Sequence, residues 1–147
     1  MAGRKQGSWC HIEIPCASPQ GAKKFYGKVF GWNFQDAPAL DYVLFSTGDG
    51  EIGGGLWNPP PGIPRVITNY ISVEHVDTMV ARVQEHGGKL VRPRMEVPGH
   101  GWFALVADPD GNIVGLWQDA PQPPISTKAV PKSKPKAAMK LKPRKRK

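Results

Sequence analysis

The chain has 147 residues, two cysteines and a formal net charge of +8, long enough for one globular domain with a core of its own. The charge is unevenly divided: residues 1–119 hold 10 Lys and Arg against 12 Asp and Glu (10 − 12 = −2), whereas residues 120–147 hold 10 basic residues and no acid. The first part therefore offers no net charge for binding phosphates, and no apolar run is long enough to span a membrane.

Residues 1–7 read as a flexible lead-in. From Trp9 to Pro15 the chain alternates, with Cys10, Ile12 and Ile14 on one side and Trp9, His11 and Glu13 on the other, which predicts a strand with two unlike faces. Ser18-Pro19 supplies an N-cap and a first-turn proline, Ala22, Phe25, Tyr26, Val29 and Phe30 follow at helical spacing, and Gly31 is a C-cap. Segments 32–35, 41–46 and 50–57 read as three short strands, the last entered through the tight turn Gly48-Asp49-Gly50. Residues 58–64 contain four prolines and form a linker.

The same order then returns. A strand at 66–73 precedes a helix at 77–86 with Met79, Val80 and Val83 inward, Gly87-Gly88 stops it, and strands follow at 89–93, 101–107 and 113–118. The copies can be laid over each other: GDGEIGGGLWN (48–58) answers PDGNIVGLWQ (109–118), with Gly31 and Gly88 offset by 57 residues and Leu56 and Leu116 by 60. A repeat of this length predicts an α+β domain of two β-α-β-β-β units, about 8–58 and 65–119 within a domain 8–119. The eight strands would form one curved mixed sheet with helices outside and a cleft inside.

From residue 120 to 147, Lys, Pro and Ala dominate, a composition that predicts disorder. Lys134, Lys136, Lys140, Lys142, Arg144, Lys145, Arg146 and Lys147 could hold nucleic acid or another polyanion through phosphates, without aromatic residues to stack on bases. A solvated, unstructured end is the other reading. On one extended strand Cys10 and Cys16 would stand roughly 20 Å apart, at about 3.3 Å per residue, so no disulfide is expected between them. Two thiols, and charges near the N-terminus with no apolar stretch behind them, predict a cytoplasmic protein.

FYGKVFGW (25–32), GGKLV after the second helix and DPDGNIVGLWQ (108–118) together resemble the vicinal oxygen chelate superfamily, which includes glyoxalases, bleomycin-resistance proteins and extradiol dioxygenases. The resemblance covers residues 8–118 and implies the same paired-unit fold. It also implies four inward-facing ligands for a divalent cation, one on the first and one on the last strand of each unit. His11, 14 residues before Phe25, matches the first-strand position. The other positions fall on Thr68, Gly115 and Gly54 or Gly55, so one of the four expected ligands is present. A single imidazole does not hold a catalytic divalent ion, and glycine has nothing to ligate with. No cofactor is therefore expected, with a rearranged metal site from His11, Glu13 and Tyr70 as the alternative.

His11 and Glu13 point the same way on a strand and form a candidate acid–base pair, or merely line a wet groove. Trp57 and Trp117 occupy equivalent repeat positions and either wall a flat ligand, with Tyr70 beside them, or pack the sheet against its helices. Trp102 and His100, after Pro98-Gly99, could close over a ligand from a loop. Arg92 and Arg94 could bind an anion, His86 suits a helix C-terminus, and Cys10 and Cys16 read as small buried hydrophobes. The expected function is binding of a small organic molecule in the inter-unit cleft, in a monomer or a homodimer. The alternatives are a metal-dependent lyase or dioxygenase with a non-standard site, and a nucleic-acid-associated protein acting through its tail.

Overall fold

The computed structural model describes residues 4–50 and 52–122; the basic tail residues named above lie outside them. Strand β1 (Trp9–Pro15) leads into helix α1 (Pro19–Phe30), followed by β2 (Asn33–Ala37), β3 (Tyr42–Ser46) and β4 (Gly53–Trp57). The second unit repeats this order with β5 (Thr68–Ser72), α2 (Val76–Glu85), β6 (Lys89–Val97), β7 (Gly101–Ala107) and β8 (Ile113–Asp119). All eight strands join one sheet in the order β2-β3-β4-β1-β5-β8-β7-β6, the α+β arrangement that the repeat predicts.

The order is palindromic in the repeat. Within each unit the first strand pairs in parallel with the last, β1 with β4 and β5 with β8, and the two first strands meet antiparallel at the centre. Their register pairs His11 with Tyr70 and Glu13 with Thr68. An offset of 57 carries one pair onto the other, so a local two-fold axis passes between β1 and β5.

Each unit carries its own core on the helix side. In the first, Val43, Phe45 and Leu56 are buried beneath Ala22, Tyr26, Trp32 and Phe34. In the second, Val73, Val76, Ala104, Val106 and Leu116 pack with Met79, Val80 and Val83 of α2. Burial of each such aliphatic side chain stabilises the fold by about 1.5–3 kcal/mol. Ser18 Oγ accepts from Gly21 N at 3.1 Å and Gly31 closes α1 in the left-handed region at φ 68°, as the capping residues predict.

Helix α2 starts differently. His75, at its N-cap, offers no side-chain cap; the Gln118 side chain, arriving from β8, accepts from Val76 N at 2.9 Å. The amide after Leu-Trp in the second copy is thus a helix cap supplied across the fold.

Several boundaries depart from the sequence reading: β2 runs on to Ala37, and β4 and β5 start at Gly53 and Thr68. A single 3-10 turn, Pro38–Leu40, separates β2 from β3. Strand β6 runs on past Pro93 to Val97, with register shifts between Leu90 and Met95. It is an edge strand, where a proline lacking an N–H leaves no ladder bond broken, and the shifts absorb the misfit. No helix among the described residues is long and apolar enough to cross a membrane.

Candidate functional site

The cleft floor is the concave side of the central strands β4-β1-β5-β8. Leu56 and Leu116 face the helices, so their neighbours Gly55, Trp57, Gly115 and Trp117 face the cleft. Glu13 lies opposite Gly55 on β4, and Tyr70 opposite Gly115 on β8. The open choice between Gly54 and Gly55 closes here: a Cβ on Gly54 would strike the carbonyl of Ile12 and the Phe45 ring, on the helix side, whereas one on Gly55 would strike Tyr42.

His11, Gly55, Thr68 and Gly115 therefore lie on neighbouring strands, but their surroundings are unlike a ligand set. A Cβ on Gly55 would overlap Cζ and Oη of Tyr42, and a Cβ on Gly115 would overlap the Tyr70 ring. The two phenol rings stand in the space that a longer side chain at either position would need. Thr68 is buried and its hydroxyl donates to the Val66 carbonyl at 3.3 Å. Among the described residues no group of three or more His, Cys, Asp or Glu side chains could hold a metal ion. The donors present do not fit a four-ligand divalent site.

They form a hydrogen-bonded chain. Tyr70 Oη donates to Glu13 Oε2 at 2.7 Å, and Tyr42 Oη donates to Glu13 Oε1 at 3.1 Å. His11 Nε2 lies 2.7 Å from Tyr42 Oη. A phenol has one hydrogen to give; with Tyr42's directed at Glu13, His11 Nε2 is the donor to Tyr42. The His11 ring stacks on Tyr42 and meets Tyr70 edge-on, with centroids 6.3 and 5.9 Å away, and Phe103 packs edge-on against Tyr70.

Burial sets the protonation states. It lowers the His11 pKa from 6.5 to about 4, with the Arg4 charge acting in the same direction, so the imidazole is neutral at pH 7. Burial raises the Glu13 pKa, against the hydrogen bonds from Tyr70 and Tyr42, which lower it. Burial and the charge of Glu13 push both phenols above their ordinary range, so both keep their hydrogens.

The remaining candidates divide. Trp57 pairs in register with Tyr42, and Trp117 with Phe103, on the cleft side. Trp117 Nε1 donates to Asp119 Oδ1 at 2.7 Å, and Arg4 binds the same oxygen at 2.8 Å, so the indole is tethered at the cleft's end. Trp102 is not in a loop. It lies within β7 and packs with the α2 core, and Arg94 stands 5.9 Å over its ring while pairing with Asp77 of α2 at 3.2 Å. The shared parity of Trp102, Ala104 and Val106 puts all three under the helix.

His86 Nδ1 lies 2.8 Å from the Arg82 carbonyl at the end of α2. The DPDGN turn is built by Asp108, whose carboxylate accepts from the backbone of Asp110 and Asn112 and from the Asn112 side chain. Cys10 and Cys16 are free thiols on the carbonyls of Tyr70 and Trp57, and burial raises the pKa of both. Two cavities lie away from the network: an apolar one of about 510 Å³ between α2 and the sheet, and one of about 470 Å³ against the proline linker. Neither is lined by His11, Glu13, Tyr42 or Tyr70.

Tyr42 went unnoticed in the sequence. Its signal is indirect: Gly55 leaves a gap on the cleft face, and Tyr42 shares that face while Val43 and Phe45 turn to the core.

A duplicated β-α-β-β-β sheet whose polar groups meet on the concave side at the seam of its two units defines a class of cleft proteins. Residues 10–116 match the family described as the glyoxalase/bleomycin resistance protein/dioxygenase superfamily, and the chain belongs to it. CFP32 of Mycobacterium bovis, which carries a provisional glyoxylase name, is 31% identical over 121 residues, covering 78% of this chain and 46% of CFP32. DnrV of Streptomyces peucetius, an anthracycline biosynthesis protein, is 28% identical over 127 residues, covering 74% of this chain and 46% of DnrV. This chain thus spans about half the length of these relatives. A superfamily member from Vibrio splendidus shares the fold, with TM-score 0.56 at 18% identity over 77% of this chain and all of that one.

Proposed function

We propose that this protein binds a small organic molecule in the cleft between its two units, without a divalent metal. The observation that carries this reading is that the rings of Tyr42 and Tyr70 occupy the space a side chain at Gly55 or Gly115 would need. What remains at the cleft floor is a set of hydrogen-bonding groups, His11 and Glu13 with the two phenols, flanked by Trp57 and Trp117. That combination of apolar walls and a few oriented polar groups suits a flat, partly polar ligand. The test is a small-molecule screen followed by NMR, with shifts expected at His11, Tyr70 and the indoles of Trp57 and Trp117. Tight, one-to-one binding of a divalent cation that disappears in His11→Ala would overturn the metal-free reading.

A second reading rests on the partition of charge. We propose that the ten basic residues of 120–147 bind a polyanion such as duplex DNA, independently of the cleft. Salt-sensitive DNA binding by the full chain should be lost on truncation after residue 120; equal binding by both forms would remove the tail from consideration.

A further inference from the structure

We propose that His11, Tyr42 and Glu13 form a proton relay whose outer end, His11 Nδ1, takes a proton from the acidic hydroxyl of a flat hydroxyaromatic ligand. This rests on the cleft-binding reading above. The contacts run in line: Nε2 to Tyr42 Oη at 2.7 Å, then Tyr42 Oη to Glu13 Oε1 at 3.1 Å, with Tyr70 holding the other carboxylate oxygen at 2.7 Å. Nδ1 has no hydrogen-bond partner among the described residues and, with Nε2 protonated, carries the ring's lone pair.

The transfer balances without any further reagent. The ligand's O–H bond breaks and Nδ1–H forms. The Nε2 hydrogen passes to Tyr42 Oη, and Tyr42's own hydrogen passes to Glu13 Oε1. The ligand ends as an oxyanion, Glu13 as a neutral acid, and His11 stays neutral in its other tautomer. Burial, which disfavours both an imidazolium and a Glu13 carboxylate, favours a route that avoids the first and neutralises the second. Trp57 and Trp117 on the cleft face supply walls for an aromatic ring.

Tyr42 is a positioning residue in this scheme, and its signature is a tautomer. In the full-length protein at pH 7, nitrogen NMR should find His11 protonated on Nε2 and bare on Nδ1. Saturating 4-nitrophenol should shift the Trp57 and Trp117 indole signals, move the His11 hydrogen to Nδ1 and raise the phenolate absorbance. Tyr42→Phe should still shift the indoles but leave Nε2 protonated. A probe that binds with no change of tautomer, or an Nδ1–H tautomer in the free protein, would overturn the relay and leave the cleft reading standing. Absence of any indole shift with this probe, and with every compound of the earlier screen, would overturn the cleft reading itself.

Discussion

The Tyr70 hydroxyl donates to the Glu13 carboxylate at 2.7 Å, and these two residues, 57 positions apart, occupy the same place in the two copies of the repeat. The duplication thus brings its own equivalent positions into contact, with unlike residues on the two sides. Because β1 and β5 pair antiparallel across the local axis, a carboxylate from one copy meets a phenol from the other.

Gly55→Ala and Gly115→Ala should each destabilise the fold by about 1–3 kcal/mol, the usual range for overpacking. The added methyl meets the Tyr42 ring in one case and the Tyr70 ring in the other. Urea denaturation of Gly115→Ala, Tyr70→Ala and the double variant gives a cycle. The double variant should be less destabilised than the sum of the two; strict additivity would show that ring and methyl do not compete.

His11 makes stability fall in mild acid. Its folded pKa lies near 4 against 6.5 in the unfolded chain, so between those values the unfolded state binds the proton that the native state refuses. Stability therefore drops as pH falls from about 6.5 to 4, by on the order of 3 kcal/mol, and levels off below. His11→Gln should flatten that limb of a stability–pH curve. An unchanged limb would mean that the imidazole is solvated.

Glu13 has the opposite sign. Its raised folded pKa means that, as pH climbs above 4.5, the unfolded chain releases a proton that the native state retains, so the native state loses stability relative to a neutral residue. Measured from pH 4.5 up to neutrality, Glu13→Gln should gain progressively on the natural protein, less the cost of one weakened phenol bond. Equal stabilities at both ends of that range would count against burial as the dominant influence on this carboxyl.

Gln118→Ala removes the acceptor for the first free amide of α2. The expected loss is about 0.5–2 kcal/mol, the range for helix caps, with faster amide exchange at Val76 than elsewhere in the helix. Uniform exchange along α2 would show that another group serves as the cap.

Much of this architecture was legible in the residues. The alternation of β1 and the pairing of Gly31 with Gly88 carried the duplicated fold, because apolar periodicity and helix stops are local signals. The site was legible only in part. His11 and Glu13 share a strand face that the sequence exposes directly. Tyr42 reaches them from β3, two strands away in the sheet, and no local pattern states that distance. Trp102 shows the reverse failure: it lies in the strand expected at 101–107, and that strand's parity turns the indole toward α2, not over a ligand from a loop after Pro98-Gly99.

Each unit has its own helix-covered core, and the two are joined through the antiparallel seam of β1 and β5. The polar network sits astride that seam, with His11, Glu13 and Tyr42 from one half and Tyr70 from the other. Docking of the halves and completion of the site are then a single event. Half a chain could build a core, but its carboxylate would lack one of the two phenols that hold it.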